Sequence, residues 1–415
     1  MYQVMENVEK SGRPPAMVSL GLARDMVRRL VPLAGERVGL DRALGRVTAE
    51  DVVAVCDCPS VDSSLKDGYA VVSPDLRLAA AAAPVRLEIL GTLTAGQDPA
   101  GCRVRPGTTV RIMTGAAIPA GADAVLASEF AREEGGWVLA LADAHPGRNI
   151  LGKGTDVGAG SVVVRAGTRL HAAHLGLLAA AGVHELGVHC LPRVAVVATG
   201  SELVPPGEAV GPGRVAASNM VTLAAGLRQA GFPVQTRIVR DNLEEMHRSL
   251  EPLLAEHDLL LTCGGVLDGD KDYTMRAMAA LGVEPFFSRV RVGPGKGTCM
   301  GRKGRTVIFN LPGGPPSNHV GFLLLALPAA RRLAGERDPF ASSLRAPLTR
   351  RVRGRAGWTQ VVYGRMVAGS RGCEVEPLAG KARLQLMAGA DCLIELPEEV
   401  ECLEAGAMGT IWNIR

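Results

Sequence analysis

Between residues 190 and 335, apolar strand-like runs alternate with helical ones, and this alternation excludes most folds. "RVAVVAT" is a continuous apolar strand, and "NMVTLAAGLRQAG" is a helix closed by Gly231. "PVQTRIV" and "LEEMHRSLEPLLAEH" repeat the pair, as do "DLLLTC" and "DYTMRAMAALG". A basic hairpin, the buried strand "TVIFN" and the apolar helix "GFLLLALPAA" complete the series. Strands without polar alternation are buried on both faces, so the expectation is a mainly parallel sheet with helices on each side. Ligands of such sheets bind just beyond the carboxyl ends of the strands.

Four segments arrive at that edge. The first strand ends in "ATGSE" and places Glu202; the second ends in "VRDN" and places Asp241. The third runs through "TCGGVLDGDKDYT" to Asp272, at the expected N-cap of a helix, and the fourth ends in "NLPGGPP". Asp268, Asp270 and Asp272 fall at alternate positions, which invites a calcium-loop reading. A calcium loop counted from Asp268 requires glycine at its sixth position and glutamate at its twelfth. Tyr273 and Ala279 stand there, so the loop cannot close around the ion.

Turn chemistry and helix capping explain each strand end separately. Three converging acids need more, because two carboxylates about 4 Å apart repel by roughly 4 kcal/mol at an effective dielectric near 20. Such a cluster requires a proton, a cation or a donor-rich ligand. Gly264, Gly265, Gly313 and Gly314 leave room for backbone N–H groups to approach an anion. Arg289, Arg291 and Lys296, on "FFSRVRVGPGKGTCMG", add positive charge. Acids and anion-binding elements together indicate a ligand with a donor-rich ring and a phosphate, or a phosphate held through Mg²⁺.

Two nucleotide-loop look-alikes are set aside. "GRNILGKGT" places Gly154 where a P-loop needs the hydroxyl residue that binds magnesium, and "GPGKGT" is shorter still. No glycine-rich G-x-G-x-x-G motif follows a strand.

The 415 residues are too many for one core. Residues 17–57 carry helical periodicity in two pieces, "SLGLARDMVRRLVP" and "LDRALGRVTAEDVV". Residues 58–154 read as a small β domain and 155–189 as a mixed segment. The α/β region spans 190–336, and short strands over 337–415 suggest a second small β domain. A net charge of +4 is no nucleic-acid footprint at this length. Nine scattered cysteines read as reduced thiols of a cytoplasmic protein. His171 and His174 read as a surface pair rather than a metal site. "GFLLLALPAA" is too short to span a bilayer, and the N-terminus has no apolar signal core.

Seven pieces in a consistent order, "GRVTAEDVVA", "VDSSLKDGYAV", "VRIMTGAAIPAGADAV", "ATGSEL", "VRDN", "TCGGVLDGDKDYT" and "FNLPGGPPSN", resemble the MoeA-type molybdopterin molybdenumtransferases, the family of the gephyrin E domain. The likeness covers roughly residues 17–415. It implies an elongated multidomain α/β protein: a central parallel molybdopterin-binding α/β domain, two small β-rich domains, one of them a C-terminal barrel, and a linker region of two segments. It also implies a homodimer whose site lies between the α/β domain of one chain and the "DGYAV" domain of the other. The implied reaction transfers molybdenum from molybdate to adenylylated molybdopterin with release of AMP, using Mg²⁺ or another divalent cation. Molybdopterin adenylyltransferase is an implied partner.

Carried over by position, the resemblance makes Asp67, Thr114, Glu202, Asp241 and Asp272 the catalytic group, with Glu202, Asp241 and Asp272 at the metal. Pro312 and Pro315 match the prolines of the family's "LPGNP" loop. The basic shell departs from the pattern. Leu151 and Gly152 replace two arginines, Gly293 replaces a lysine while Lys296 remains, and Gly314 replaces an asparagine. Leucine and glycine cannot bind an oxyanion bidentately. Lys66, beside Asp67, and Lys381 are candidates to restore the missing charge. Two rival readings follow: a non-catalytic molybdopterin-binding carrier or sensor, and an insertase selective for tungstate.

Overall fold

The computed structural model describes residues 16–264, 273–369, 372–381 and 383–414, and these divide into two compact units. One holds the chain up to Glu36, Gly45–Val47 and everything from His189 onward; the other holds Arg37–Leu44 and Thr48–Val188.

The first unit is built around a six-stranded sheet. In spatial order its strands are Val234–Val239, Val194–Thr199, Leu259–Cys263, Thr306–Leu311, Cys299–Lys303 and Glu284–Phe287. The first four pair in parallel and the last two antiparallel, so the sheet is mainly parallel with a hairpin edge. Its central strands are buried throughout because both faces are covered. Val194, Val196, Leu259, Leu261 and Phe309 pack with Leu223, Leu227 and Phe322 on one side. Ala195, Val197, Leu260 and Ile308 pack with Met246, Leu250 and Met278 on the other. Each large side chain so buried contributes about 1.5–3 kcal/mol, which explains the absence of polar alternation in these strands.

The same unit carries a seven-stranded sheet that includes most of the C-terminal strands. The strand Val290–Gly293 leaves the α/β region and pairs with Val18–Ser19 on one side and Thr359–Gly369 on the other. Val292 lies opposite Thr359 and Gly293 opposite Gln360, which fixes the C-terminal sheet against the basic turn. The helix Leu20–Arg28, capped by the Ser19 hydroxyl, adds a buried clamp. Arg24 makes a bidentate pair with Glu395 at 2.7 and 3.1 Å and lies 4.6 Å from the Trp412 ring centroid.

The second unit contains another six-stranded sheet, in the order Ala124–Ala127, Gly68–Val71, Thr108–Ile112, Val85–Leu93, Trp137–Ala140 and Ala131–Glu134. The helix expected over "LDRALGRVTAEDVV" does not form. Residues Leu40–Arg42 make one 3₁₀ turn, Gly45 takes a left-handed conformation, and Val52–Val53 pairs with Val162–Val164. The Thr48 hydroxyl donates to the Arg165 carbonyl at 2.7 Å, tying this segment to a distant strand instead of to its own backbone. Among the described residues no helix is long and apolar enough to cross a membrane.

Candidate functional site

The carboxyl edge of the central sheet gathers the loops that the sequence marks. The first strand turns at Gly200, whose N–H donates to the Val239 carbonyl of the neighbouring strand at 3.1 Å. Glu202 folds back over this turn, with its carboxyl oxygens 2.7 Å from where a Cβ on Gly200 would stand. Asp241 follows the second strand and donates its N–H to Ser201 Oγ at 3.2 Å. The Ser201 carbonyl is held in turn by the Arg214 guanidinium at 2.7 Å. Glu202 and Asp241 thus sit on adjoining loops, the first exposed and the second half-buried. Asp272 and Gly265 lie outside the described residues.

Gly264 closes the third strand. Its N–H donates to the Leu311 carbonyl at 3.0 Å, and its φ of 112° disfavours any side chain. A Cβ there would stand 2.7 Å from the Thr199 carbonyl oxygen. The Thr199 hydroxyl donates to the Cys263 carbonyl at 3.3 Å and accepts from Thr274 at 3.4 Å, tying two strand ends to the helix Tyr273–Ala280. Burial pushes the Cys263 thiol up to about 12, so it stays protonated at neutral pH and is no nucleophile.

The fourth strand runs into Pro312, Gly313, Gly314 and Pro315, the last opening the helix Pro315–Gly321. Two asparagines that sequence reading overlooked shape this loop. Asn219 Nδ2 donates to the Gly313 carbonyl at 2.8 Å, and the buried Asn318 donates to the Pro312 carbonyl at 3.0 Å. Both carbonyls are thereby held by side-chain amides, and Gly313 and Gly314 are exposed with no Cβ over their amides. Such a loop suits a planar, donor-rich ligand carrying an anion.

The basic turn borders this loop. A Cβ on Gly295 would lie 3.6 Å from the Ser317 carbonyl, so the turn packs directly on the helix after Pro315. Lys296 is exposed, with Nζ 5.7 Å from the Trp358 ring centroid. Arg289, half-buried, precedes the same strand, and the Gln360 amide fills the space beside Gly293 at 3.1 Å from a Cβ position. Lys381 is exposed just ahead of the helix Arg383–Gly389, which packs on Pro315–Gly321.

In the second unit Asp67 directly precedes the strand Gly68–Val71, and Gly68 stands opposite Ile112. This register brings Thr114, just beyond the neighbouring strand, onto Asp67. The Thr114 N–H and hydroxyl both donate to Asp67 Oδ1. The backbone hydrogen bond from Thr114, then its hydroxyl, hold the Asp67 carboxyl below its ordinary range against a small burial penalty, with Arg111 adding attraction. Lys66 is exposed beside it. Lys153, of the P-loop look-alike, is engaged by Asp57 at 3.3 Å, and His171 and His174 form a helix-capping pair. Among the described residues no three His, Cys, Asp or Glu side chains form a metal cluster.

Three family models match in order. The MoeA N-terminal region (domain I and II) matches residues 18–182, a probable molybdopterin binding domain 195–332, and the MoeA C-terminal region (domain IV) 345–408. Molybdopterin molybdenumtransferase 2 of Mycobacterium tuberculosis is 34% identical over 94% of this chain and 97% of its own length. Molybdopterin molybdenumtransferase of Staphylococcus epidermidis is 30% identical over 96% of this chain and 95% of its own. Two crystal structures of molybdopterin biosynthesis MoeA protein from Pyrococcus horikoshii superpose with TM-scores of 0.80 and 0.81, at 30% and 25% identity. Each covers 96% of this chain, and they are covered over 99% and 100% of theirs.

Proposed function

Because the chain belongs to the MoeA family of molybdopterin molybdenumtransferases, we propose that it transfers molybdenum from molybdate to adenylylated molybdopterin and releases AMP. The observation that carries this reading is that Glu202, Asp241 and the Gly313–Gly314 loop all follow parallel strands of one sheet at its carboxyl edge, the two acids on loops joined through Ser201. The pterin occupies the loop shaped by Asn219 and Asn318, and Lys296 faces the phosphate.

The donor set fits Mg²⁺, a hard cation held by one or two carboxylates together with substrate phosphate oxygens. Glu202 and Asp241 supply hard oxygens on adjoining loops, with Asp272 next along the chain from Gly264 as a third candidate. When bound, the cation supplies charge neutralisation at the phosphate. The protein's own residues do the rest. Glu202 and Asp241 orient the metal and the attacking oxygen. Asp67, held ionised by Thr114, accepts a hydrogen bond or proton from a donor group of the pterin substrate or from a water. The same proposal includes a cytoplasmic homodimer in which Asp67 and Lys66 of one chain serve the pterin site of its neighbour. It also includes molybdopterin adenylyltransferase as the donor of the adenylylated substrate.

Single-turnover AMP release from adenylylated molybdopterin, with and without molybdate and Mg²⁺, tests the reading. Release that requires both is expected. The depleted basic shell, with Leu151, Gly152 and Gly293, favours one rival: binding of the pterin without AMP release would select the carrier or sensor. Release supported by tungstate in preference to molybdate would change the metal and keep the chemistry.

A further inference from the structure

Arg355 and Trp358 close a four-residue turn. Trp358 N–H donates to the Arg355 carbonyl at 3.0 Å, and Gly357 takes the left-handed conformation, φ 74°, found at the third position of type II and I′ turns. The two residues pair antiparallel, which puts their side chains on one face, with the guanidinium 5.0 Å from the indole centroid. Lys296, from the basic turn, brings Nζ to the same ring at 5.7 Å.

Two cations therefore share one aromatic ring. Among the described residues neither is paired with a carboxylate within ion-pair distance, and the nearby Glu398 gives one carboxylate oxygen to another cation while its second, Oε1, is buried without a hydrogen-bond partner. Glu398 takes Arg291 at 3.0 Å through its carboxylate and anchors the Gly357 N–H at 2.9 Å through its carbonyl. The quadrupole of the indole ring attracts each cation but cannot neutralise it. Like charges gathered in this way are stabilised by an oxyanion. The pair borders the loop at Pro315, because Gly295 packs on Ser317 next to Lys296.

We propose that Arg355, gathered with Lys296 on the Trp358 ring, is a further binding residue for an oxyanion of the phosphate or molybdate class, with Trp358 positioning both cations. This rests on the insertase reading, and it supplies from the C-terminal sheet a positive charge that Gly293 no longer brings.

The test uses the full chain and titrates phosphate, AMP and molybdate separately by calorimetry, with tryptophan emission as a second readout. Arg355→Gln weakens binding of at least one anion about three- to tenfold and flattens its salt dependence. Trp358→Leu does the same, and Trp358→Phe, which keeps an aromatic face, restores most of the affinity. Anion-dependent emission is lost in both Trp358 variants. Arg353→Gln removes the same charge from an exposed neighbouring position and binds as wild type. A loss confined to molybdate assigns the pair to the metal substrate; a loss shared by phosphate and AMP assigns it to the adenylyl phosphate. Unchanged binding in Arg355→Gln while the wild type still releases AMP overturns this inference and leaves the insertase reading standing. An equal loss in Arg353→Gln overturns it as well, and a wild type that neither binds any of the three anions nor releases AMP overturns both.

Discussion

Thr114 gives two hydrogen bonds to a single oxygen of Asp67, its N–H and its hydroxyl each lying 2.7 Å from Oδ1. Both donors stabilise the carboxylate over the acid, so Asp67 stays ionised to lower pH than an ordinary aspartate. Asp67 itself is exposed.

Thr114→Val keeps the backbone donor and removes the hydroxyl. The carboxyl then titrates at higher pH, and the acid limb of the AMP-release profile moves upward, while the alkaline limb stays. Thr114→Ser returns it. An acid limb that ignores both substitutions would assign the limb to a group other than Asp67.

Gly264 and Gly313 face each other across the loop, and a Cβ on Gly313 would meet Gly264 Cα at an ordinary 3.7 Å. Their alanine variants should therefore part company. Gly264→Ala forces a side chain into the left-handed region and against the Thr199 carbonyl, at a cost of about 2–3 kcal/mol. Its melting temperature falls and pterin binding is lost. Gly313→Ala leaves stability within about 0.5 kcal/mol but covers an exposed amide of the loop, so KM rises without a change in melting. Equal melting temperatures for the two variants would contradict this geometry.

The central sheet was legible because its signals are local: runs such as "VAVVAT" have one periodicity and "LEEMHRSLEPLLAE" another. The piece 40–53 was not, because what decides its shape is distant. Val52–Val53 finds its partner at Val162–Val164, and the Thr48 hydroxyl finds Arg165. The site divides in the same way. Acids and glycines at strand ends announce themselves, whereas Asn219 acts through a backbone carbonyl and is written as an ordinary helix residue. Trp358 reaches Lys296 only because Val292 and Thr359 stand in register.

His319, on the helix after Pro315, is packed beneath the C-terminal sheet. Burial lowers its pKa from 6.5 to about 4 and also keeps Tyr363 protonated; His319 Nδ1 lies 3.0 Å from the phenol oxygen, whose hydroxyl donates to the Pro316 carbonyl at 3.5 Å. The unfolded chain binds a proton below pH 6.5 that the folded chain refuses until about pH 4. Stability from this group is therefore complete above pH 6.5 and is lost as pH falls towards 4, by about 3 kcal/mol at most. Denaturant midpoints measured at pH 7 and pH 5 should differ less in His319→Gln than in the wild type. A difference equal in both would place the acid sensitivity elsewhere.

Glu202 and Asp241 approach from adjoining loops through Ser201, and on the proposed mechanism they act through one cation. Chelation should abolish AMP release and spare pterin binding, with Mg²⁺ restoring it. Glu202→Gln and Asp241→Asn each remove one hard anionic ligand, so each raises the Mg²⁺ concentration for half-maximal release and lowers release at saturation by about 10²-fold. Residues that work as one unit are not additive. The double variant should therefore release AMP little more slowly than the worse single variant. Independent roles for the two carboxylates predict instead that the losses multiply. A multiplied loss, with an unchanged Mg²⁺ requirement in either single variant, would remove that residue from the metal and leave it only a place at the substrate.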